Sequence, residues 1–494
     1  MLKIIIVTIY ILVMLFIGYS CRRRSKTLDD FFLGGRNVGP WLSAFAYGST
    51  YFSAVLFIGY AGKIGWGFGL HALWIVLGNA LVGVYLAWKV LGPRTRVMSA
   101  RLNAMTMPEF LEARYDSQAM KLISASLIFI FLVPYTASVY MGLSYLFEVN
   151  LGIDYNLALA FMAVLTSVYL IMGGYVALMI TDLIQGMIMI GGVAVMIFSL
   201  TGQVGGIRHA TTELMKAEYA PALQTTGGIP GWLTLLSLVI VTSLGPWGLP
   251  QMVQKFYSIK SETQINRAAI ACTILALILA FGAYFTGAMT HLFYPQLPSP
   301  NIDELIPRLL TDFTPQAITL VILLLVISAS MSSLSSLVLV SSSAITIDFY
   351  KGFIQPDADH RKVVLLMRLF CGIFILFSLW IALQQPSVIV NLMVISWGAL
   401  AGSFMGPYLY GLYWKRTTKA AAFAGMGTGL LTSITMYWYL GAPGIPLGGA
   451  VSILLPLLVI PVVSLVTQPY SQTRLEQVFC RESPAPAITQ QPEA

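Results

Sequence analysis

Apolar runs long enough to cross a bilayer follow one another along almost the whole chain, and this succession constrains the fold most. A membrane-spanning helix needs about 20 predominantly apolar residues. Thirteen runs of this kind lie at roughly 3–20, 41–62, 67–91, 119–147, 155–172, 176–201, 231–250, 267–293, 316–347, 363–383, 386–413, 419–440 and 447–467. Because lipid cannot hydrogen-bond the backbone, the runs predict an all-α polytopic membrane protein with 13 transmembrane helices.

The basic residues predict how the chain is oriented in the membrane. A cluster at 22–26 (RRRSK) follows the first run, and no small-residue cleavage site precedes it, so we expect a retained first span that ends in the cytoplasm. The N-terminus would then lie outside and the C-terminus inside, in the plasma (cytoplasmic) membrane. Of the 28 Lys and Arg residues, this arrangement places all but five on the cytoplasmic side; the five are Lys3, Lys63, Arg208, Lys216 and Arg308.

The remaining composition excludes several classes of protein. The four cysteines and four histidines are scattered, which indicates neither a disulfide framework nor a zinc site. The net charge of +8 lies in short loops between the runs, so we expect no nucleic-acid partner. No paired carboxylates or Ser–His arrangement shares one depth, and the sequence therefore predicts that the chain is not an enzyme. The tail, 468–494, is rich in Pro, Gln and Ser and is expected to be cytoplasmic and disordered.

Two of the runs contain residues that break helices. Gly48, Ser49 and Thr50 interrupt the second run, and Gly and Pro residues within 245–250 interrupt the seventh. Non-helical backbone at membrane depth is tolerated where it lines a cavity or is buried in protein. Paired breaks in corresponding spans indicate the binding site of a transporter, although two ordinary kinks would give the same pattern.

Serines are concentrated in the middle of the ninth run. Ala329, Ser332, Ser333 and Ser336 share one face of a helix. Hydroxyl and carbonyl oxygens at this depth suit a hard, weakly charged cation. The alternative is that the small residues permit close helix packing, or that the serines bond to carbonyls of their own helix.

One carboxylate, Asp182, lies within an apolar run. A charge there costs about 2.5 to 3.5 kcal/mol on insertion scales, so the residue needs a partner. We find no Lys or Arg at its depth in a neighbouring run, which predicts neutralisation by a bound cation or a proton. Alternatively, Asp182 reaches water near the cytoplasmic end of its span.

Several motifs resemble the sodium:solute symporter family over nearly the whole chain. They are DDFFLGGRNVGPW, MGGYVALMITDLIQG, GLPQMVQKF, ASMSSLSSLVLVSSSAITIDFYK and GPYLYGLYWKRTT. The resemblance, which is strongest to the pantothenate, monocarboxylate and proline branches, implies a LeuT-type fold with an inverted five-plus-five helix repeat. A single transporter domain would span 1–467, with core repeats at about 41–201 and 231–413 and flanking helices at 3–20, 419–440 and 447–467.

The resemblance also implies sites for one or two sodium ions. The first would be formed by the backbone carbonyls of the second span and by the ninth span. The residues that match it are Ser49, Phe52, Ala329, Ser332 and Ser333. A second sodium would lie near the aspartate of the TDxxQ motif. The residues that match that site are Asp182, Ser332, Ser335 and Ser336.

Substrate would bind between the two broken spans, beside the first sodium. The matching residues are Tyr51, Ser53, Phe57, Tyr135 and Trp247. Val55 and Leu56 stand where the family's sugar transporters carry a polar pair, and Tyr51 stands where its proline transporters carry an aspartate. An aromatic site with few polar groups suits a small organic solute. We expect one that bears a carboxylate, such as a monocarboxylate, pantothenate or an amino acid, although Phe57 and Tyr135 could instead be packing residues.

The chain is therefore expected to be a sodium-coupled symporter that imports its solute by alternating access. Coupling to protons through Asp182, or transport of sugars or anions, remains an alternative. A transporter-like sensor is a third possibility, and the short tail without a signalling domain argues against it. The expected partners are sodium, the solute and the bilayer, and the sequence indicates no obligate protein partner.

Overall fold

The computed structural model describes residues 2–21, 32–216, 219–225 and 227–479, and the regular secondary structure in these ranges is helical apart from one isolated bridge. The helices are α1 (Leu2–Cys21), α2 (Pro40–Tyr51), α3 (Val55–Gly65), α4 (Leu73–Gly78), α5 (Asn79–Leu86), α6 (Ala87–Arg101), α7 (Met107–Tyr115), α8 (Gln118–Leu151), α9 (Tyr155–Gln203), α10 (Ile207–Leu214), α11 (Gly231–Gly248), α12 (Pro250–Ser258), α13 (Glu262–Phe293), α14 (Leu305–Phe313), α15 (Gln316–Ser343), α16 (His360–Gln384), α17 (Ile389–Tyr413), α18 (Lys419–Leu440), α19 (Ile445–Val466) and α20 (Gln472–Phe479). α3, α5 and the continuation of α15 over Ala344–Ile354 are π-helices. The all-α prediction is confirmed for the described residues.

The count of membrane spans is lower than the sequence predicts. Among the described residues, nine helical segments are long and apolar enough to cross a membrane. One of them, Val55–Arg101, covers 47 residues and is interrupted at Gly69, whose φ of +52° lies outside the helical region. Two further apolar helices, Ile5–Ser20 and Tyr155–Ser167, are shorter. The figure of thirteen spans stays a prediction.

Both predicted helix breaks are present, each slightly later in the chain than expected. Residues 48–50 remain helical, and α2 ends at Tyr51, after which Phe52 is extended (φ −109°, ψ 103°). In the other span α11 continues through Pro246 to Gly248, and Leu249 is extended (φ −83°, ψ 122°) before α12 begins at Pro250. The wrong placement arises because Gly and Ser weaken a helix without ending it when tertiary packing holds them.

The two broken units are tied together at one end. The backbone N–H of Val38, just before α2, donates to the Ser258 carbonyl at the end of α12 (3.1 Å). The Lys260 N–H in turn donates to the Val38 carbonyl (3.0 Å). These bonds form an isolated bridge and hold the start of one broken unit against the end of the other.

The interior of the bundle is formed by α15 and α17. α15 packs along α9 and α8, while α17 packs against α8, α11, α18 and α19. Small residues permit the closest approaches: a Cβ built on Gly287 of α13 would lie 1.9 Å from the Ala61 carbonyl oxygen of α3. α13 and α3 therefore pack backbone to backbone.

Part of the tail is ordered, contrary to the prediction for 468–494. α20 forms a short helix, and the Arg101 guanidinium donates to the Val478 carbonyl (3.1 Å). Arg114 packs its guanidinium over the Phe479 ring, 4.9 Å from the centroid. Disorder was expected from polar composition, but these cationic contacts hold the segment against α6 and α7. Residues 480–494 and the basic cluster at 22–26 lie outside the described residues.

Candidate functional site

The broken end of α2 meets the serine face of α15. The Ser332 hydroxyl lies 2.8 Å from the Ser49 hydroxyl, and the Ser333 hydroxyl donates to the Thr50 carbonyl (3.0 Å). All of these groups are buried. The last turn of a helix leaves its carbonyls without intrahelical partners, and here the hydroxyls of the neighbouring helix approach them. The result is a cluster of oxygen atoms between the two helices.

The residues predicted for the first sodium site are distributed around this cluster. Ser332 and Ser333 each contact Ser49, one at its hydroxyl and the other at its carbonyl. Phe52 is the first non-helical residue, and its N–H still donates to the Gly48 carbonyl (3.2 Å). Ala329 is fully buried in α15, one turn before Ser332 and Ser333.

Asp182 lies beside the same cluster and is fully buried. Its Oδ1 is 2.7 Å from the Ser332 hydroxyl. Since a hydroxyl carries one proton, Ser332 donates to the carboxylate and accepts from Ser49. Access to water at a cytoplasmic end, one of the explanations open from sequence, is not what the structure shows.

A buried lysine approaches the same carboxylate. Lys255 of α12 is 0% exposed, and its Nζ lies 3.6 Å from Asp182 Oδ2. It also donates to the Ser336 hydroxyl (3.2 Å) and lies over the Tyr175 ring, 5.4 Å from the centroid. The expectation that no Lys or Arg reaches the depth of Asp182 is therefore wrong.

Lys255 was missed because of where the seventh apolar run ends. The run stops at Pro250, so the sequence reading counts Lys255 as a loop cation on the cytoplasmic side. In the structure a second helix starts after the break at Leu249 and continues inside the protein to Ser258. The sequence feature that could have revealed Lys255 is the motif GLPQMVQKF, in which the lysine follows the break by less than two helical turns.

The serines predicted for a second sodium site do not all face the cluster. Ser336 contacts Lys255 and lies 3.0 Å from the Thr50 hydroxyl. The Ser335 hydroxyl instead donates to the Met331 carbonyl of its own helix (2.6 Å). The serine-rich run thus contains two kinds of hydroxyl: some reach across to α2, and others bond back to α15.

Aromatic rings form a wall next to the break in α2. The Tyr51 ring stacks on Phe52 (4.4 Å between centroids) and on Trp397 of α17 (6.1 Å). Tyr135 of α8 meets Trp397 edge to face at 5.7 Å. The Ser53 hydroxyl interacts with the Tyr135 phenol and accepts from the Val55 N–H (3.1 Å). Trp397 therefore joins predicted substrate residues from two other helices.

Trp397 was not singled out from the sequence, because SWGAL lies in the middle of an apolar run with no polar signal. A glycine in α11 makes room for it: a Cβ on Gly245 would lie 2.7 Å from the Trp397 ring. Two other predicted residues are placed differently. Trp247 points its indole N–H to the Val82 carbonyl (3.0 Å), and Phe57 is buried in α3.

A second buried carboxylate lies in the connection between α13 and α15. Asp303 is 1% exposed and accepts a hydrogen bond from the Ile389 N–H (3.0 Å) at the start of α17. Burial raises the pKa of Asp303 to about 6, although the Ile389 N–H and the charge of Lys63 act in the opposite direction. Lys63 itself donates to the Asn391 side chain (2.8 Å).

Several known sequences are similar to this chain over most of its length. The sequence profile of the sodium:solute symporter family matches residues 31–429. A sodium/proline symporter of Haemophilus influenzae is 31% identical over 444 residues, which cover 86% of each chain. The osmoregulated proline transporter OpuE of Bacillus subtilis is 30% identical over 431 residues, with the same coverage of both chains. A sodium/proline symporter of Staphylococcus aureus is 30% identical and covers 87% of this chain and 84% of that protein.

Solved structures share the fold. A Na⁺-coupled sialic acid symporter, in a substrate-bound outward-open state, superposes with a TM-score of 0.80 at 21% identity, over 96% of this chain and 99% of that one. Mhp1, a transporter of the nucleobase-cation-symport-1 family in a closed conformation, gives 0.54 at 14% identity, over 91% and 97%.

Proposed function

The chain belongs to the sodium:solute symporter family, and from this premise we propose that it couples sodium entry to the import of a small carboxylate-bearing solute, with proline as the first candidate. It is a multi-pass membrane transporter rather than an enzyme, as are its relatives. The proposal concerns the solute, the ion site and the mechanism.

The contact between the broken end of α2 and the serine face of α15 carries this proposal. Ser332 and Ser333 reach Ser49 and the Thr50 carbonyl across the helix boundary. A sodium ion among these oxygens would hold the two helices together more strongly than the neutral hydrogen bonds do, because hard cations prefer several oxygen ligands. The sodium site that we propose consists of Ser49, Phe52, Ala329, Ser332 and Ser333.

The solute is proposed from the shape and charge of the neighbouring site. Tyr51, Tyr135 and Trp397 provide apolar area for a small ring or alkyl chain. The positive end of the helical segment that starts after Ser53, together with the bound sodium, would favour a carboxylate. Curated relatives named as proline symporters make proline the leading candidate, although Tyr51 departs from the aspartate of the family's proline transporters.

The proposed mechanism is alternating access about the two breaks. Sodium binding ties α2 to α15 and forms the solute site, and solute binding then closes the outer entrance. An inverted repeat of the LeuT type would let one bundle rock against the other. Sodium and solute must each raise the other's affinity by the same factor, because coupling between two sites is reciprocal.

Uptake into proteoliposomes tests the proposal. Labelled proline is offered with an inward sodium gradient, and again with potassium replacing sodium; pantothenate, pyruvate, lactate, other amino acids and glucose complete the panel. We expect proline or one other carboxylate to accumulate only with sodium. Sodium-dependent glucose uptake without uptake of any carboxylate would contradict the proposed solute class.

Coupling to protons is the competing mechanism, and the same vesicles distinguish it. An inward proton gradient at equal sodium on both sides should drive no uptake. Uptake that follows the pH gradient and persists in potassium would show that the oxygen cluster is not a sodium-coupling site.

A further inference from the structure

Lys255 places a fixed positive charge among the atoms that a second sodium ion would need. It is the ion-pair partner of Asp182 within the described residues, and both side chains are 0% exposed. A buried ammonium is costly unless it is paired and hydrogen-bonded, so its position next to Asp182 and Ser336 is strongly determined.

The residues predicted to bind a second sodium ion already interact with other groups of the protein. Ser336 accepts from the Lys255 ammonium, and Ser335 donates to the Met331 carbonyl of its own helix. Asp182 Oδ1 accepts from Ser332. Asp182 Oδ2 has no hydrogen-bond partner among the described residues and faces the ammonium at 3.6 Å.

Charge balance also argues against a second sodium ion at this site. Asp182 and Lys255 are together neutral, and the other ionisable side chains next to them, Tyr10 and Tyr175, are phenols. A sodium ion bound to Asp182 Oδ2 and Ser336 would lie within a few ångströms of the ammonium. The buried cluster would then carry an uncompensated positive charge in a poorly screening interior.

We propose that the Lys255 ammonium takes the place of a second sodium ion, so that this chain carries one sodium per solute through the site at Ser49, Ser332 and Ser333. The inference rests on the proposed sodium coupling and specifies its stoichiometry. It makes Lys255 the residue that decides how many ions move in each cycle.

Direct counting of bound sodium in the full-length purified protein tests the inference. Equilibrium binding of radioactive sodium, with an impermeant organic cation replacing other salts, should give one ion per wild-type chain. In proteoliposomes the ratio of sodium flux to solute flux should also be one. Two ions per wild-type chain would overturn the inference.

Variants then test whether Lys255 is the reason that only one sodium ion binds. Lys255→Met keeps the length of the side chain and removes its charge, and we expect it to bind two sodium ions because Asp182 now lacks a cation. Lys255→Arg keeps the charge and should bind one. Lys255→Met combined with Asp182→Asn restores neutrality and should also bind one.

The outcomes separate this inference from the proposed function. A single sodium in folded Lys255→Met would overturn the role given to the lysine while leaving sodium coupling intact. If Lys255→Met does not fold, the wild-type count still tests the inference, because two ions per chain would overturn it. No saturable sodium binding by the wild-type chain would contradict the proposed function itself, and the inference with it.

Discussion

At the scale of single residues, Ser332 joins two parts of the proposed site. Its hydroxyl contacts both Ser49 and Asp182. We expect Ser332→Ala to raise the sodium concentration for half-maximal uptake by about 10- to 100-fold, because a hydrogen bond to a charged group contributes about 1.5 to 3 kcal/mol. Initial uptake rates at graded sodium concentrations measure this change.

Ser335 provides the matched control for that experiment. It lies in the same helix and is equally buried, but its hydroxyl bonds to its own backbone. Ser335→Ala should therefore leave the sodium dependence within about twofold of wild type. Equal effects of the two substitutions would indicate that general packing of α15, and not contact with α2, accounts for the loss.

At this scale the sequence predicted which residues form the site better than it predicted which side chains they contact. The hydroxyl cluster could be expected because Ser49, Ser332 and Ser333 lie at a helix break and on one helical face. The partner of Asp182 could not, because Lys255 comes from α12, and the distance between α12 and α9 depends on tertiary packing. Trp397 was missed for a related reason: an aromatic residue in an apolar run has no pattern that distinguishes a binding wall from core.

At the scale of secondary-structure elements, Asp303 accepts a hydrogen bond at the start of α17, and its protonation should affect stability. Its folded pKa, about 6, is raised above the usual value of 3.8, so the folded state keeps a proton that the unfolded chain loses. Stability should therefore fall as the pH rises from about 4 to about 6, by roughly 3 kcal/mol. Thermal unfolding of wild type and Asp303→Asn across this range measures the effect.

The asparagine variant should lack this component of the pH dependence. The wild-type protein should thus lose stability relative to Asp303→Asn as the pH rises, with most of the change complete by about pH 7. A constant difference between the two proteins at all pH values would show that Asp303 titrates in the same way in the folded and unfolded states.

Close packing of α13 on α3 depends on Gly287. A methyl group there would meet the Ala61 backbone oxygen at 1.9 Å, and backbone cannot rotate away as a side chain can. We expect Gly287→Ala to lower stability by about 1 to 3 kcal/mol or more, measured as the thermal unfolding midpoint in detergent.

Gly191→Ala is the control for that substitution. Gly191 lies within α9 and has no atom within 4 Å of an added Cβ. Alanine should therefore be neutral there, or stabilising by up to about 1 kcal/mol through its helix propensity. A similar loss at both positions would mean that glycine content, and not the contact with α3, sets the stability.

At the scale of the whole molecule, the predicted orientation can be tested by labelling. Ala442, between α18 and α19, should face outside, and Asp357, between α15 and α16, should face the cytoplasm; both are exposed. In a background with the native cysteines replaced by serine, Ala442→Cys should react with an impermeant maleimide on intact cells. Asp357→Cys should react after permeabilisation only, and the reverse pattern would invert the topology.

The overall architecture was largely predictable, since long apolar runs can only be helices in lipid. What the sequence could not supply was the way in which neighbouring helices are joined. Val55–Arg101 and Tyr155–Gln203 are each interrupted at a glycine with non-helical backbone, Gly69 and Gly174, and not at a polar loop. The breaks in α2 and α11 were displaced for a similar reason, because the residues that end a helix are decided by what packs around them.

The proposed transport of one sodium per solute sets a ceiling on how steeply the solute could be concentrated. For a solute without net charge, such as proline, one sodium moving down a tenfold gradient, with a membrane potential of about 100 mV worth about 2.3 kcal/mol, supports an accumulation of roughly 500-fold. Two ions would square that ceiling. A transporter whose own lysine replaces a sodium ion therefore reaches a lower accumulation ratio. In return, fewer sodium ions enter the cell for each solute molecule imported.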